Sequence, residues 1–308
     1  MPTDVFYWVL NMSISGSVAG LILLLLRRIK KIPRRIVYAL WVVPFLRFVL
    51  PLSLSYEYSV AQLLKNVTGR IVTVYPGEYI LSDRIELSMM NAVGVAYDYF
   101  PITYKNDSLR IIFECASDVW CIIAALVISI VVVAYVSAMR NVRKSTHIRD
   151  NIYVSENVKS PAVFGIIRPR IIFPIGAEID GEHLALLHER VHIRRLDNLW
   201  RLVGVIVCAV HFFNPLAWVC LRCFLVDMEL SADESVIRAL DEDERADYAR
   251  SLVDHVERGA VFSSAFGGAA LRGRLENIIN YKEMTKLSAV CVVLLAILLA
   301  VVLITNAI

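Results

Sequence analysis

The chain has 308 residues, of which 57% are hydrophobic, and its formal net charge is only +3. A mean hydropathy of +0.60 is too apolar for an ordinary soluble enzyme and indicates a membrane protein. The net charge says little about nucleic-acid binding, but the sequence contains no helix-turn-helix, P-loop or dinucleotide-binding pattern, which argues against direct binding of DNA.

The apolar residues are concentrated in a few runs. Each run is close to the roughly 20 residues that a helix needs to cross the hydrocarbon core of a bilayer. The simplest interpretation is an α-helical membrane protein with about four transmembrane helices. The lipid bilayer is then a partner of the chain. The runs cover residues 5 to 26, 36 to 52, 119 to 139 and 287 to 305.

Basic residues predict the orientation of these helices. Six of them lie in the connection 27 to 35, and others follow the third run at Arg140, Arg143, Lys144 and Arg149. Short connections rich in Lys and Arg stay on the cytoplasmic side. We therefore expect both stretches in the cytoplasm of a multi-pass plasma-membrane protein, with the N- and C-termini outside the cell.

This topology divides the chain into five regions. They are a transmembrane hairpin (1 to 52), an extracellular loop (53 to 118), a third transmembrane helix (119 to 139), a cytoplasmic domain (140 to 285) and a fourth transmembrane helix (286 to 308). Within the cytoplasmic domain, residues 200 to 226 are nearly as apolar as the spans but are interrupted around His211 and Pro215. They are too few to cross a bilayer twice, so they predict a re-entrant or interfacial hairpin.

Three short β-rich pieces precede the next helical pattern of the cytoplasmic domain. They are residues 152 to 155, 162 to 167 and 170 to 173, and prolines bound them as prolines bound edge strands. We expect a small antiparallel sheet. Such a sheet would offer an edge on which an extended peptide can pair, or it would only cover the neighbouring helix.

The motif HExxH occupies residues 188 to 192, inside a segment with helical periodicity and no Gly or Pro until Gly204. Positions i and i+4 share a helix face, so His188 and His192 can offer two imidazoles to one Zn²⁺ ion. Glu189 points to the same face and is the candidate general base, which would take a proton from the attacking water.

A third ligand is expected on the next helical segment, where Glu229 is followed four residues later by Asp233. A carboxylate from a second helix completes a three-ligand zinc site with one open position. Asp233 could accept the N–H of a ligand histidine, and Asp197 is a weaker candidate for the same role. The alternative is that these carboxylates form a solvated helix face.

Several stretches together resemble the membrane zinc metallopeptidases of the BlaR/MecR type, the β-lactam sensor-transducers that act as antirepressors. These stretches are SPAVFGIIRPRIIFP, LLHERVHIRRLDNLW, HFFNPLAW, DMELSADESVI and RLENIINYKE. The resemblance implies a cytoplasmic α+β gluzincin-like zinc metalloprotease domain. It also implies that His188, His192 and Glu229 hold the metal and that Glu189 is the general base.

The resemblance implies a function as well. Members of this family respond to an outside signal by cytoplasmic proteolysis, either of themselves or of a DNA-binding repressor. This chain departs from the family in two respects: it has no SxxK triplet followed by a KTG-like triplet, and Ala232 stands where the family often has Cys. We therefore expect it to lack the C-terminal penicillin-binding sensor domain.

The leading hypothesis is a membrane-embedded zinc endopeptidase that cuts a cytoplasmic protein, a transcriptional repressor or the chain itself. Two alternatives stay open: a non-proteolytic signalling scaffold, and a housekeeping quality-control zinc protease. The intact Glu189 disfavours the scaffold, because a binding module has no need of a general base beside two ligands. The sequence allows a homodimer without indicating one.

The topology is testable by cysteine accessibility. In intact cells, and in a chain whose six native cysteines are replaced by serine, a membrane-impermeant maleimide should leave a Lys144→Cys variant unlabelled and should label a Ser82→Cys control in the predicted extracellular loop. Labelling of the Lys144→Cys variant from outside would overturn the orientation and the cytoplasmic placement of the metal site.

Overall fold

A computed structural model describes residues 2–29, 32–50, 107–177, 182–259, 265–281, 290 and 293–298 of the chain. Most of the predicted extracellular loop and most of the fourth predicted span lie outside these residues. Among the described residues, two helices are long and apolar enough to cross a membrane, Val5–Leu26 and Ile111–Val142. They correspond to the first and third predicted spans.

The first predicted hairpin is built from one long helix and two short ones. Helix α1 spans Pro2–Leu26, α2 spans Arg34–Leu40 and α3 spans Val42–Val49. The second predicted span is thus not a single helix, because the chain breaks at Trp41. Pro44 explains the break, since it lacks the N–H that would bond to the carbonyl one turn earlier and its ring crowds that carbonyl.

Helix α4 spans Asp107–Val142 and is longer than the predicted third span. Its first residues, 107 to 118, belong to the stretch assigned from the sequence to the extracellular loop, so the helix begins before the predicted span. The helix includes Arg110 and Glu114, two charged residues that precede the apolar run. A helix continues past its apolar section when no Gly or Pro interrupts it, and none occurs between 107 and 119.

The sheet has four strands: β1 at Thr146–Arg149, β2 at Ile152–Ser155, β3 at Ala162–Phe164 and β4 at Arg170–Pro174. Their order is β1-β2-β4-β3. The expectation of an antiparallel sheet is wrong, because β2 and β4 run parallel. The chain reverses direction between β3 and β4, which pair antiparallel. Gly165, at φ +93°, supplies the left-handed backbone in this connection.

Five helices complete the described part of the domain. They are α5 at His183–Arg195, α6 at Asp197–Val210, α7 at Pro215–Ile237, α8 at Glu242–Gly259 and α9 at Ala265–Ile279. The sequence predicted one unbroken helix across α5 and α6. Leu196 separates them with a left-handed backbone at φ 57°, which a β-carbon makes costly by about 1 to 2 kcal/mol.

Helices α6 and α7 form an antiparallel pair with a turn at residues 211–214. Asn214 caps α7 by accepting from the Leu216 N–H, and its side-chain amide donates to the hydroxyls of Ser13 and Ser17 in the middle of α1. His211 bonds the carbonyl of Phe48 at the end of α3. The turn therefore lies beside the middle of the first candidate span, and its depth in a bilayer remains a prediction.

Three apolar cores position the helices that carry the candidate ligands. One joins the first hairpin to α6 and α7, one joins α5 to α7, α8 and α9, and one joins the sheet to α5. The first contains Leu23, Val37, Trp41, Phe45, Phe48, Val207, Cys208, Ala217, Cys220, Leu221, Phe224 and Met228. The second contains Leu184, Val236, Ile237, Leu240, Tyr248 and Ile278, and the third Ile152, Ile171, Phe173 and Leu186.

The close approach of α1 to its neighbours depends on two glycines. A β-carbon at Gly16 would lie 2.6 Å from the Phe48 ring, and one at Gly20 would lie 2.5 Å from Cys220 Sγ. Both separations are below van der Waals contact, so only a residue without a side chain fits. The spacing of four residues is the one that lets membrane helices pack closely.

We expect Gly20→Val to destabilise the chain by about 1 to 3 kcal/mol through overpacking. Thermal unfolding of the detergent-solubilised protein measures the effect. Gly273→Ala is the matched control, since a β-carbon there meets nothing within 4 Å. That control should be neutral or up to about 1 kcal/mol more stable, because alanine favours a helix over glycine. Equal unfolding temperatures for Gly20→Val and wild type would contradict the packing argument.

Candidate metal centre

The candidate metal centre lies where α5 meets α7. His188 and His192 are one turn apart on α5, and their Nε2 atoms are 3.0 Å apart. Glu229 approaches from α7, with its Oε2 3.4 Å from Nε2 of His188 and 3.6 Å from Nε2 of His192. The structure therefore brings together the three side chains that the spacing predicted as ligands.

The orientation of His192 is set by a buried carboxylate. Asp197 Oδ2 lies 2.6 Å from His192 Nδ1, and a carboxylate can only accept at that nitrogen. His192 Nδ1 therefore carries the proton, and Nε2 keeps its lone pair. Five residues along a continuous helix would put Asp197 on a different face, so the left-handed Leu196 is what returns the carboxylate to the ring.

His188 is oriented through a tyrosine. Its Nδ1 lies 2.8 Å from the Tyr248 hydroxyl, which donates to Asp233 Oδ1 at 2.7 Å. The hydroxyl proton is thus committed to Asp233, so His188 donates from Nδ1 to the tyrosine oxygen. Asp233 also accepts two bonds from Arg274, at 2.8 and 2.7 Å. Burial raises the pKa of Asp233, but Arg274 outweighs burial and lowers it to about 2.

These hydrogen bonds leave three electron-pair donors facing one another: two imidazole Nε2 atoms and one carboxylate oxygen. Arg201 Nη2 bonds Oε1 of Glu229 at 2.6 Å, which leaves Oε2 for the histidines. Tetrahedral ligand bonds of about 2.05 Å place ligand atoms about 3.3 Å apart. The observed separations of 3.0 to 3.6 Å fit that triangle, so the residues fit a divalent metal ion.

The pKa values of the donors reflect the same concentration of negative charge. Burial disfavours protonation of His188, but hydrogen bonds to Asp233 and Glu229 raise its pKa to about 9. Burial also opposes protonation of His192, whose pKa is raised by Asp197 and Glu229. The histidines in turn hold the pKa of Glu229 well below its usual range, against the effect of burial. The site favours a bound cation.

Glu189 lines the same cavity as the three donors. The cavity has a volume of about 310 Å³. Burial is the main reason that the pKa of Glu189 is raised, and the charge of Glu229 raises it further, while the two histidines lower it. A carboxylate in this environment holds a proton more readily than one in water, as a general acid and base requires.

One wall of the cavity is an exposed strand edge. Ala162 and Val163 of β3 line it, and β3 is at the end of the sheet, where β4 is its only partner among the described strands. Asn198 of α6 donates to the carbonyls of Val163 and Gly165 at 3.0 and 3.2 Å. This side chain ties the edge strand to the helix that also carries Asp197.

A larger, mainly apolar cavity of about 870 Å³ adjoins the first. Arg201, Glu229 and Arg274 line both cavities, so the third donor and its two arginines form the boundary between them. The remaining lining residues come from α6, α7 and α9: Val205, Trp218, Leu221, Arg222, Leu225, Val226, Leu230 and Gly273.

The family of the chain follows from comparison with known protein families. A family model described as BlaR1 peptidase M56 matches residues 7–284. The chain belongs to this family. The resemblance inferred from the sequence motifs is thereby confirmed, and the His-His-Glu group lies in a member of a metal-dependent peptidase family.

Curated relatives of this M56 chain are regulatory proteins. It is 28% identical over 142 residues to "Regulatory protein BlaR1" of Bacillus licheniformis, covering 42% of this chain and 23% of that protein. It is 29% identical over 161 residues to the Staphylococcus aureus protein of the same name, covering 48% and 28%. The "Methicillin resistance mecR1 protein" of Staphylococcus aureus (strain Mu50 / ATCC 700699) is 24% identical over 146 residues, covering 44% and 25%. The matched part spans about a quarter of each relative's length.

The structure places both candidate outer carboxylates of this M56 site beside a histidine. Asp197, the weaker candidate, bonds a histidine directly, whereas Asp233 reaches His188 Nδ1 mainly through Tyr248, at a direct separation of 3.3 Å. Tyr248, Arg201 and Arg274 were missed altogether. The ExxxD spacing indicated Asp233, but nothing local to Tyr248 or Arg274 indicates that these residues reach it from other helices.

We expect the purified chain to carry one divalent metal ion and both His188→Ala and Glu229→Ala to lose most of it, because each removes one of three donors. Elemental mass spectrometry of the dialysed protein measures the stoichiometry. His147→Ala, on the exposed strand β1, is the control and should keep the metal. Full occupancy in Glu229→Ala would show that the third donor lies elsewhere.

Proposed function

We propose that this chain is a membrane-embedded zinc endopeptidase of the gluzincin type, with His188, His192 and Glu229 as ligands and Glu189 as general base. The observation that carries the proposal is the triangle of donor atoms beside Glu189 in a cavity walled by an open strand edge. Two imidazoles and one carboxylate, with a fourth position open, are the donor set of catalytic zinc.

The ligand geometry is prepared by the protein itself. Asp197 and Tyr248 hold the two imidazoles in the tautomer that presents Nε2, and Arg201 restricts Glu229 to one oxygen. When bound, zinc supplies the positive charge that acidifies water and polarises a peptide carbonyl. The neutral imidazoles preserve that charge, since neither ligand cancels it.

Glu189 performs the proton transfers in this proposal. Its carboxylate accepts a proton from the water that attacks the scissile carbonyl and returns that proton to the nitrogen of the leaving amine. Its raised pKa suits both steps, because the group must hold the proton between them.

The substrate is proposed to bind as an added strand. An extended peptide pairing with the outer edge of β3 would cross the cavity in front of Glu189, with backbone bonds giving register and side chains giving selectivity. Asn198 supports this mode, because it fixes the carbonyls of Val163 and Gly165 and so keeps the edge in place.

A cytoplasmic protein, of which a DNA-binding repressor is the leading candidate, is proposed as the substrate. The positive-inside pattern supports a cytoplasmic site in a multi-pass plasma-membrane protein, and the relatives named for regulation and methicillin resistance support a signalling role. The chain itself is a second candidate substrate, at the linker 259 to 270. Residues 260 to 264 of that linker lie outside the described part of the structure.

Glu189→Gln should retain the metal and the fold but lose proteolysis, because it removes the base and preserves the side-chain volume. The loss should be about 10² to 10⁴ in rate. Wild type and variant are co-expressed with a repressor encoded beside this chain, and both proteins are followed by immunoblot under cell-wall stress. Glu182→Gln, at the start of α5, is the matched glutamate control.

The outcomes separate the proposals. A repressor fragment with wild type alone supports the antirepressor function, and a fragment of this chain alone supports self-cleavage. Cleavage of unrelated misfolded membrane proteins would support a quality-control protease. Equal signalling from wild type and Glu189→Gln, with no fragment from either, would support a scaffold and contradict the peptidase proposal.

A further inference from the structure

A residue of the first hairpin reaches the metal centre through one carboxylate. The Tyr38 hydroxyl of α2 donates to Asp197 Oδ1 at 2.7 Å, and Asp197 Oδ2 accepts from His192 Nδ1 at 2.6 Å. Asp197 is fully buried. One of its oxygens therefore bonds a hairpin residue 159 positions earlier in the sequence, and the other bonds a candidate ligand 5 positions earlier.

Two side chains contact the Tyr38 ring and restrict its orientation. One face stacks on Phe224 of α7, with ring centres 5.5 Å apart and planes 15° apart. The Arg195 guanidinium lies 4.2 Å from the ring centre, and it also approaches Asp197 Oδ2 at 3.3 Å. A ring held in this way directs its hydroxyl to one place, so the bond to Asp197 is a geometric constraint and not a loose surface contact.

Helix α2 is in turn anchored to the helix that carries Glu229. Glu234 accepts from the first two backbone N–H groups of α2, those of Arg34 and Arg35, at 2.9 and 3.1 Å. The first N–H groups of a helix have no partners inside the helix, and Glu234 supplies acceptors for two of them. Its negative charge also interacts favourably with the positive end of the helix dipole. At the other end of α2, Trp41 Nε1 donates to Asp227 at 2.9 Å.

We propose that Tyr38 is a positioning residue for the metal centre: its hydroxyl, acting through Asp197, orients the His192 ring and so sets the affinity of the site. The proposal rests on the metal binding proposed above. It makes the first hairpin part of the ligand framework, so that a displacement of α2 relative to α5 changes the geometry of a metal ligand. The hairpin is then joined to the candidate metal ligand by two successive hydrogen bonds.

The first test is the zinc Kd of Tyr38→Phe in the full chain, measured by chelator competition in detergent micelles. The variant removes one hydroxyl and retains the ring contacts. We expect the Kd to rise about three- to tenfold, less than the roughly 10- to 100-fold typical of a group that bonds a ligand directly. Tyr153→Phe, on strand β2, is the control and should match wild type. An unchanged Kd in Tyr38→Phe would overturn the proposal.

The second test separates positioning from general destabilisation. If Tyr38 acts through Asp197, Tyr38→Phe should have little further effect on the Kd in an Asp197→Asn background. The effect of Tyr38→Phe on the Kd should be additive with the effect of Tyr248→Phe, which acts on His188. A merely structural role would lower the unfolding temperature of the metal-free protein and give additive effects in both backgrounds. The d–d absorption of the cobalt-loaded protein should also shift in Tyr38→Phe.

The third test needs no variant and covers the case in which Tyr38→Phe does not fold. Coupling between sites is reciprocal, so zinc should slow amide hydrogen exchange in a peptide covering residues 34–41, relative to chelator-treated wild type. Protection confined to α5 and α7, with none in α2, would overturn the inference. A wild-type chain that binds no zinc would instead refute the proposed function.

Discussion

The geometry of the candidate metal centre depends on one constraint, the hydrogen bond at the Nδ1 atom of each histidine. A ring that lacks an acceptor at Nδ1 can rotate or change tautomer, and its Nε2 is then not directed at a metal. The chain meets the constraint with Asp197 for His192 and with Tyr248 and Asp233 for His188. Each acceptor comes from a segment outside helix α5.

The acidic side chains near the candidate metal centre have partners from other parts of the fold that neutralise their charge. Helix α7 carries four acids, which are Asp227, Glu229, Asp233 and Glu234, and each is paired with a basic group or a backbone N–H from another part of the chain. Asp227 and Asp233 are fully buried, so removing the arginine partner of either would leave a buried charge uncompensated, which costs about 3 to 5 kcal/mol. The pairs therefore hold α7 in one position relative to the hairpin and to α9.

The contacts that follow from local spacing were predictable from the sequence. The i, i+4 spacing placed His188 and His192 on one face, and the prolines and β-rich pieces located β2 and β4 to within a residue. The break at Leu196 was not predictable, since leucine has no preference for a left-handed backbone and only tertiary contacts stabilise it there. The bonds of Tyr248 and Arg274 to Asp233 were missed for the related reason that helical periodicity says nothing about which helices meet.

The sequence separation of these pairs has a consequence for biosynthesis. Arg27 and Asp227 are 200 positions apart, as are Arg34 and Glu234, and Arg274 follows Asp233 by 41. Contacts between distant residues form late, because the entropy of closing the intervening chain must be overcome first. The hairpin is synthesised well before its partners on α7, and Asp233 must wait for Arg274. A growing chain therefore holds its histidines without a completed metal centre until most of it has left the ribosome.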